Sequence, residues 1–329
     1  DGSFRNVTTE AGVDVTNGLG LGVVAMDLHG EGRLSLFVAN DEVPNFLFVN
    51  VTSSPDKLRF EEQAMLSGVA VDADGKSQAC MGVAAGDADG DGLVDLFVTN
   101  FYQESNTFYR QITRGQFADV TRSARLRDPG FPMLGFGTQF LDADHDGWED
   151  LIVTNGHIDD LTAIGEPYKM PTQFFRNAGQ GRFDEIPAAQ LGPFFQESHL
   201  GRGLARLDWN RDGNEDVAVS HLKEPAALLT NQSSATGHFV SLQLCGTRCS
   251  RDAIGTTVEI TVAGKKIVKQ LTAGDGYHAS NERRLVFGLG RATRVDQLHI
   301  HWPSGTIQTW KDIPAGTFVT IVEGSQFIR

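Results

Sequence analysis

Cysteine is scarce: three in 329 residues, too few for a disulfide-knit scaffold. Cys245 and Cys249 lie close together. They can bridge a tight turn, which would mark an oxidising compartment, or stand as two free thiols. Cys80 is isolated and reads as a small buried hydrophobe. Basic residues are also short, with 28 Lys and Arg against 42 Asp and Glu and a net charge of −14. No basic patch is visible, so no nucleic-acid partner is expected. No apolar run approaches the roughly 18 residues of a spanning helix, so no membrane span is expected. Long stretches of helical periodicity are missing, as are a nucleophile elbow, a P-loop and a dinucleotide fingerprint; Gly288-Leu-Gly290 reads as a strand end. Hydrophobic residues make up 40% of the chain, enough to exclude global disorder. The length allows two or three domains.

What the sequence does contain is a repeat. Gly22-Val-Val-Ala-Met-Asp27 leads to Leu36-Phe-Val-Ala-Asn40, and Gly82-Val-Ala-Ala-Gly-Asp87 to Leu96-Phe-Val-Thr-Asn100. Gly137-Thr-Gln-Phe-Leu-Asp142 leads to Leu151-Ile-Val-Thr-Asn155, and Gly203-Leu-Ala-Arg-Leu-Asp208 to Val217-Ala-Val-Ser-His221. The leading aspartates are 60, 55 and 66 residues apart. Each unit reads as four short strands. A small apolar strand comes first, then an acidic loop, then a Val/Leu/Phe strand. A third strand follows, such as Gln173-Phe-Phe-Arg-Asn177, and a Phe-bearing fourth, such as Arg182-Phe-Asp-Glu-Ile186. Four-strand units at a steady period predict an all-β fold of β-propeller blades. Asp1-Gly-Ser-Phe-Arg-Asn-Val-Thr8 matches the fourth strand alone. It predicts a preceding blade, a larger ring of about seven blades and a chain that is the C-terminal part of a longer protein. Alternatively, this strand closes the ring with the last unit, which lacks a fourth strand after Leu228-Leu-Thr-Asn231.

The loops of three units follow Asp-x-Asp/Asn-x-Asp-Gly-x-x-Asp. They comprise Asp87, Asp89, Asp91, Leu93 and Asp95; Asp142, Asp144, Asp146, Trp148 and Asp150; and Asp208, Asn210, Asp212, Asn214 and Asp216. Positions 1, 3 and 5 turn oxygens inward, Gly at 6 allows a sharp turn, 7 offers a carbonyl and 9 a closing carboxylate. Ca²⁺ takes six to eight such hard oxygens. So many carboxylates in nine residues repel one another without a cation. Three Ca²⁺ sites are expected, and three divalent ions would bring the formal charge from −14 to −8. The first loop, Asp27-Leu-His-Gly-Glu-Gly-Arg-Leu-Ser35, departs from the pattern, with His29, Glu31 and Ser35 at positions 3, 5 and 9 where the others carry Asp or Asn. It is expected to be weak or empty, with Arg33 as a substitute charge. Asp72-Ala-Asp-Gly75 reads as a turn.

These loops and their Gly-x-x-x-x-Asp lead-in resemble FG-GAP (VCBS) repeats. Ser250-Arg-Asp-Ala-Ile-Gly-Thr256, Ala273-Gly-Asp-Gly-Tyr277, Leu285-Val-Phe-Gly-Leu-Gly290 and His301-Trp-Pro-Ser-Gly305 resemble the ASPIC/UnbV domain. The resemblance implies a secreted, periplasmic or cell-surface protein, a calcium-stabilised propeller and a C-terminal β-domain. It implies no established reaction.

Residues 1–235 are therefore expected to form the blades and 236–329 a small antiparallel, sandwich-like domain joined through Gln232-Ser-Ser-Ala-Thr-Gly237. Alternating segments such as Phe239–Leu244 and Thr257–Val262 support it. One role for this domain is to cover the last blade's edge. Loops opposite the acidic ones are where binding is expected. The candidates there are Asn100, Tyr102, Asn155, His157, His199 and His221, with Phe101 and Phe131 as further aromatics. The three histidines either converge on a transition metal or make ordinary hydrogen bonds. His299 and His301 read as solvent-facing. Three functions compete. One is a binding or adhesion module for an extracellular protein or glycan. Another is a carbohydrate lyase or hydrolase at the same face, and the last a structural subunit of a surface assembly. The missing N-terminal part or another subunit is a further possible partner.

Overall fold

The computed structural model describes residues 2–54, 57–233 and 236–326; every absence below refers to these. The chain is all-β. A short helix α1 (Thr8–Ala11) precedes β1 (Gly20–Met26), β2 (Ser35–Asn40), β3 (Phe46–Asn50) and β4 (Phe60–Glu62), which pair in sequence order as one antiparallel sheet. Helix α2 (Ala64–Ser67) leads to the second sheet, β5 (Val83–Gly86), β6 (Asp95–Val98), β7 (Thr107–Thr113) and β8 (Gln116–Asp119). After α3 (Arg127–Gly130) come β9 (Gly135–Leu141), β10 (Asp150–Asn155), β11 (Met170–Pro171), β12 (Gln173–Asn177) and β13 (Phe183–Glu185). The third sheet is β9-β10-β12-β13, and β11 forms a small ribbon with β14 (Ser198–His199), which lies beyond helices α4 (Ala188–Leu191) and α5 (Pro193–Gln196). The fourth sheet has only β15 (Gly201–Leu207), β16 (Asp216–His221) and β17 (Ala227–Leu229).

The first strands of successive sheets stand side by side, β1 by β5, β5 by β9 and β9 by β15, as in propeller blades. The cores lie between the blades. Phe117 of β8 packs among Phe37, Leu47, Leu96 and Tyr109, and Phe183 of β13 among Phe97, Phe108, Leu151 and Phe175. The fourth strands β8 and β13 thus seal their own blades against the one before.

The N-terminal strand expected at residues 1–8 does not form: residues 2–7 have no regular structure, helix starts at Thr8, and Asp1 lies outside the described residues. A strand needs a partner to satisfy its backbone, and no strand of a preceding blade is among the described residues. Nor does the segment close the last blade, whose sheet ends at β17. Ser234 and Ala235 of the linker lie outside the described residues.

The tail forms two sheets. β18 (His238–Cys245) sits between β21 (Arg284–Gly290) and β24 (Thr317–Val322); β19 (Thr257–Val262) and β20 (Lys265–Gln270) join β22 (Arg294–His301) and β23 (Ile307–Pro314). The inward residues, including Val240, Ile260, Phe287, Leu298 and Ile321, make one apolar cluster. The expected all-antiparallel pairing fails at one place, where β18 and β24 run parallel. Alternation records which face is buried and not the strand's direction, so the sequence pattern was blind to this. Cys245 and Cys249 are free thiols. Cys80 is buried, and burial pushes its thiol up to about 12.

The tail does not cover the last blade's edge, where Leu228 is 52% exposed. It docks on the inner strands instead. Ala273 exchanges backbone hydrogen bonds with Ala25 of β1, and Gly276 with Val83 of β5. Gln139 of β9 donates to the Asp275 carbonyl at 3.2 Å, and the Asn281 side chain accepts from the Arg206 amide of β15 at 2.9 Å. One loop thereby touches all four blades. Gly274 sits at φ 90° with the Val23 carbonyl 2.1 Å from where a Cβ would stand, so only glycine fits.

Candidate metal centres on the acidic loops

Each loop is built on its first aspartate. Asp87 accepts the amides of Gly90 at 2.8 Å, Asp91 at 3.1 Å and Gly92 at 2.9 Å. Asp142 accepts those of Asp146 and Gly147, and Asp208 those of Asp212 and Gly213. Gly92, Gly147 and Gly213 adopt φ of 90°, 85° and 92°, the left-handed turn that glycine makes at least cost. Position 4 is left-handed as well, at Gly90, His145 and Arg211, which the spacing did not announce. The degenerate loop keeps the same skeleton, since Asp27 accepts from His29, Gly30, Glu31 and Gly32. Position 1 therefore folds the loop whether or not the other acids are present.

Position 9 has a second duty too. Asp95 takes the amide of Gln111 on the third strand at 2.9 Å with one oxygen and that of Ala88 at 3.1 Å with the other. Asp150 holds Asn177 and Ala143, and Asp216 holds Asn231 and Trp209, in the same way. In the first loop Ser35 accepts the equivalent amide of Asn50 at 3.1 Å. Serine keeps the brace and drops the charge. Arg33 pairs with Glu31, the acid at position 5 of the same loop, and so places a positive charge there, as expected. Asp72 accepts the amides of Asp74 and Lys76, the turn expected there.

Two sets of carboxylates have one oxygen each within 4.8 Å of one another: Asp87, Asp89 and Asp95, and Asp142, Asp144 and Asp146. Both can hold a metal ion. In the third loop Asn210 stands at position 3 in place of an aspartate, which leaves the carboxylates of Asp208, Asp212 and Asp216. Position 7 (Leu93, Trp148, Asn214) donates its amide to the position 5 carboxylate in all three loops. Arg176 reaches Asp144 at 2.8 Å and Asp146 at 3.5 Å, and Arg110 lies 3.6 Å from Asp89. Burial raises the carboxyl of Asp87 to about 7, with Glu149 adding to it, and that of Asp150 to about 7. Burial also lifts Asp95 and Asp142 well above the ordinary range. Such groups are the ones a divalent ion relieves.

A pair of substitutions separates the two duties. Asp89→Asn is expected to weaken cation binding and leave the melting temperature of the metal-free protein nearly unchanged. Asp95→Ala should lower both, by about 1–3 kcal/mol in the metal-free protein, because two backbone amides lose their acceptor. Calorimetric melting with and without chelator checks this; equal effects of the two variants would contradict it.

The opposite face differs from expectation. Asn100 and Asn155 are fully buried. Each amide braces its own loop, Asn100 to the Ser105 carbonyl and Asn155 to the Pro171 carbonyl. His221 occupies the same repeat position and bonds the Pro225 carbonyl at 2.7 Å. His199 stacks on Phe194 and pairs with Glu224 at 3.0 Å, its ring 5.0 Å from that of His221. His157 is buried, edge-on to Phe101 and Tyr102. Among the described residues the three histidines do not form a group of converging metal ligands. Tyr102 is half-buried and reaches the surface, and Phe131 is exposed beside Arg127. In the tail His299 is half-buried, bonded to Thr309, and His301 is exposed.

Sequence reasoning missed a buried charge cluster. Glu149 and Glu215 both stand at loop position 8. Glu149 pairs with Lys269 at 2.8 Å and Glu215 with Arg206 at 3.0 Å, all nearly out of solvent. The recurring acid at position 8 was the available signal.

Comparison with known proteins matches both halves of this description. Residues 87–153 match the FG-GAP-like repeat family and residues 246–327 the ASPIC and UnbV family. The chain carries an FG-GAP-like repeat and an ASPIC/UnbV segment. Among curated proteins it is similar to Cartilage acidic protein 1 of Homo sapiens, 23% identical over 325 residues, covering 98% of this chain and 46% of the relative. The Xenopus tropicalis protein of the same name is 26% identical over 316 residues, covering 93% and 45%. The chain thus spans about half the length of the curated relatives it matches. Among solved structures, an Agrocybe aegerita lectin recognising non-reducing terminal N-acetylglucosamine aligns at TM-score 0.36 and 16% identity, over 65% of this chain and 55% of that one. Trypanosoma rangeli sialidase aligns at 0.33 and 12%, over 92% and 51%. At these scores neither likeness bears on function. No helix among the described residues is long and apolar enough to cross a membrane.

Proposed function

We propose that this chain is a calcium-stabilised extracellular binding module, with blades in residues 1–235 and a docked β-domain in 236–329. The observation that carries it is the pair of convergent Asp clusters at Asp87 and Asp142, recurring in phase with the repeat. Ca²⁺ fits better than Mg²⁺ because the loops offer many protein oxygens on flexible turns and Mg²⁺ prefers to keep its waters. The third ion belongs to the loop of Asp208, while the loop of Asp27 binds weakly or not at all. The name of the curated relatives supports an extracellular setting, secreted, periplasmic or on the cell surface. The ions hold the scaffold, and a protein or glycan binds the opposite face around Tyr102 and Phe131.

Thermal melting during a calcium titration tests this. A rise in melting temperature saturating in the roughly 10⁻⁴–10⁻³ M range is expected, with reversal by EDTA. No shift with calcium, or an equal shift with magnesium, would overturn the metal assignment. Tyr102→Ala should then reduce retention on whichever glycan or protein array the wild type binds, while calcium raises its melting temperature as much as that of the wild type.

A further inference from the structure

The tail lies across the acidic loops as well as the inner strands. The glycine at position 6 of every loop abuts a tail residue. A Cβ at Gly32 would stand 2.8 Å from the Pro303 carbonyl oxygen, and one at Gly92 3.4 Å from a Val268 methyl. At Gly147 it would stand 3.3 Å from the Gly288 carbonyl oxygen, and at Gly213 2.0 Å from the Phe239 ring. The contacts are unequal. Gly92, in the loop of Asp87, meets one methyl at van der Waals distance, whereas the loops of Asp142 and Asp208 are also tied by hydrogen bonds.

In the loop of Asp142, the backbone carbonyls of positions 3 and 4 both accept from the tail. Asp144 takes the Gly237 amide at 2.7 Å and His145 the Gly290 amide at 2.8 Å. The Phe239 ring lies 5.3 Å from that of His145. A Cβ at Gly288 would fall 1.9 Å from Asp142 Oδ2, the oxygen that accepts the Gly147 amide and so shapes the turn. In the loop of Asp208, the Asp208 amide donates to Glu282 of the tail at 3.0 Å, and Arg211 pairs with the same carboxylate. The tail thus grips the backbone from which the acidic side chains project.

We propose that the tail positions the calcium sites of the third and fourth blades, and that calcium in turn latches the tail onto the blades. The inference rests on the calcium reading above and adds a coupling to it. Ordering a loop around an ion costs conformational entropy, and a loop already held by its neighbours has less of it to lose. Linkage makes the effect reciprocal: whatever factor the docked tail adds to calcium affinity, calcium adds to docking. The tail also brings two ammonium groups, which oppose a cation. Lys269 is paired with Glu149 at 2.8 Å, and Lys265 is exposed, where solvent screens it. The bracing of the backbone therefore sets the sign.

Calcium titration calorimetry and hydrogen exchange on the full chain test this. Phe239→Ala should weaken two of the three expected sites at least about fivefold and leave that of Asp87 unchanged. Val295→Ala, a change in the tail's own core outside every contact named above, should weaken none. In the wild type, calcium should slow exchange of the Gly237 and Gly290 amides more than that of Ile260, which pairs only within the tail. A wild type that takes up no calcium sinks the calcium reading and this inference with it. Equal calcium affinity in the wild type and Phe239→Ala, or exchange at Gly237 and Gly290 indifferent to calcium, overturns the coupling and leaves the calcium reading standing. Equal weakening by Phe239→Ala and Val295→Ala overturns it too, because general loss of tail stability would then be the cause.

Discussion

Replacing Lys269 by alanine is expected to destabilise the protein by about 3–5 kcal/mol, the cost of leaving a buried carboxylate without its partner. Lys269 lies on β20, where its neighbours Lys265 and Lys266 are exposed, yet it is 7% exposed itself. Its ammonium sits 2.8 Å from Glu149, which reaches over Gly86 of the second blade. Burial disfavours that ammonium, but Glu149 and Glu215 outweigh it and hold the lysine charged beyond its usual range. The same strand touches the first loop, where Gln270 accepts the Asp27 amide and donates to the Asp27 carbonyl. Lys265 lies over the Trp148 ring of the third blade's loop, 3.5 Å from its centre. Removing Lys269 thus strikes the joint between the tail and three blades. The double variant Lys269→Met with Glu149→Gln should recover most of the loss, because neither residue then carries an unpaired charge. Chemical denaturation of the single and double variants measures this. A loss below about 1 kcal/mol for Lys269→Ala would mean that solvent reaches Glu149 and that the joint is wet.

Local repetition was legible, and pairing at a distance was not. The strands and loops of each blade follow from Asp, Gly and Phe at fixed spacings, because each unit solves the same local problem. The second duty of Asp95, Asp150 and Asp216 lay hidden behind their metal-ligand spacing; only the serine at position 35, which braces without charge, exposes it. Asn100 and Asn155 looked like ligand contacts because loop-borne amides usually are exposed, whereas here they satisfy carbonyls within the loop. Lys269 and Glu149 are far apart in sequence and their contact exists only once the tail has docked. The docking loop Ala273–Tyr277 was visible as a motif, but nothing local says that its glycines are needed to lie against Val23 and Val83.

Without metal, the protein should grow less stable as pH rises from about 4 to about 7, and calcium should abolish that trend. Asp87 and Asp150 are raised from an ordinary 3.8 to about 7 by burial. A raised carboxyl means the folded state binds the proton more tightly than the unfolded chain does. Its contribution is complete below the unfolded value and disappears as pH passes through the folded one. A three-unit shift is on the order of 4 kcal/mol per group. The carboxyls of Asp95 and Asp142 move in the same direction. A divalent ion takes the place of those protons, so calcium uptake must release them and its affinity must climb over the same interval. Melts in EDTA and in millimolar calcium across this range read the first effect. Titration calorimetry in two buffers of different ionisation enthalpy reads the second. If both melting series ran parallel, protons and calcium would not compete for the same oxygens, and the ions would have to bind elsewhere. Asp87→Asn should flatten the chelated series most, because it gives up the titratable charge, and it should also lower the whole series, because an amide has one acceptor oxygen where Asp87 uses one for Gly90 and Asp91 and the other for Gly92.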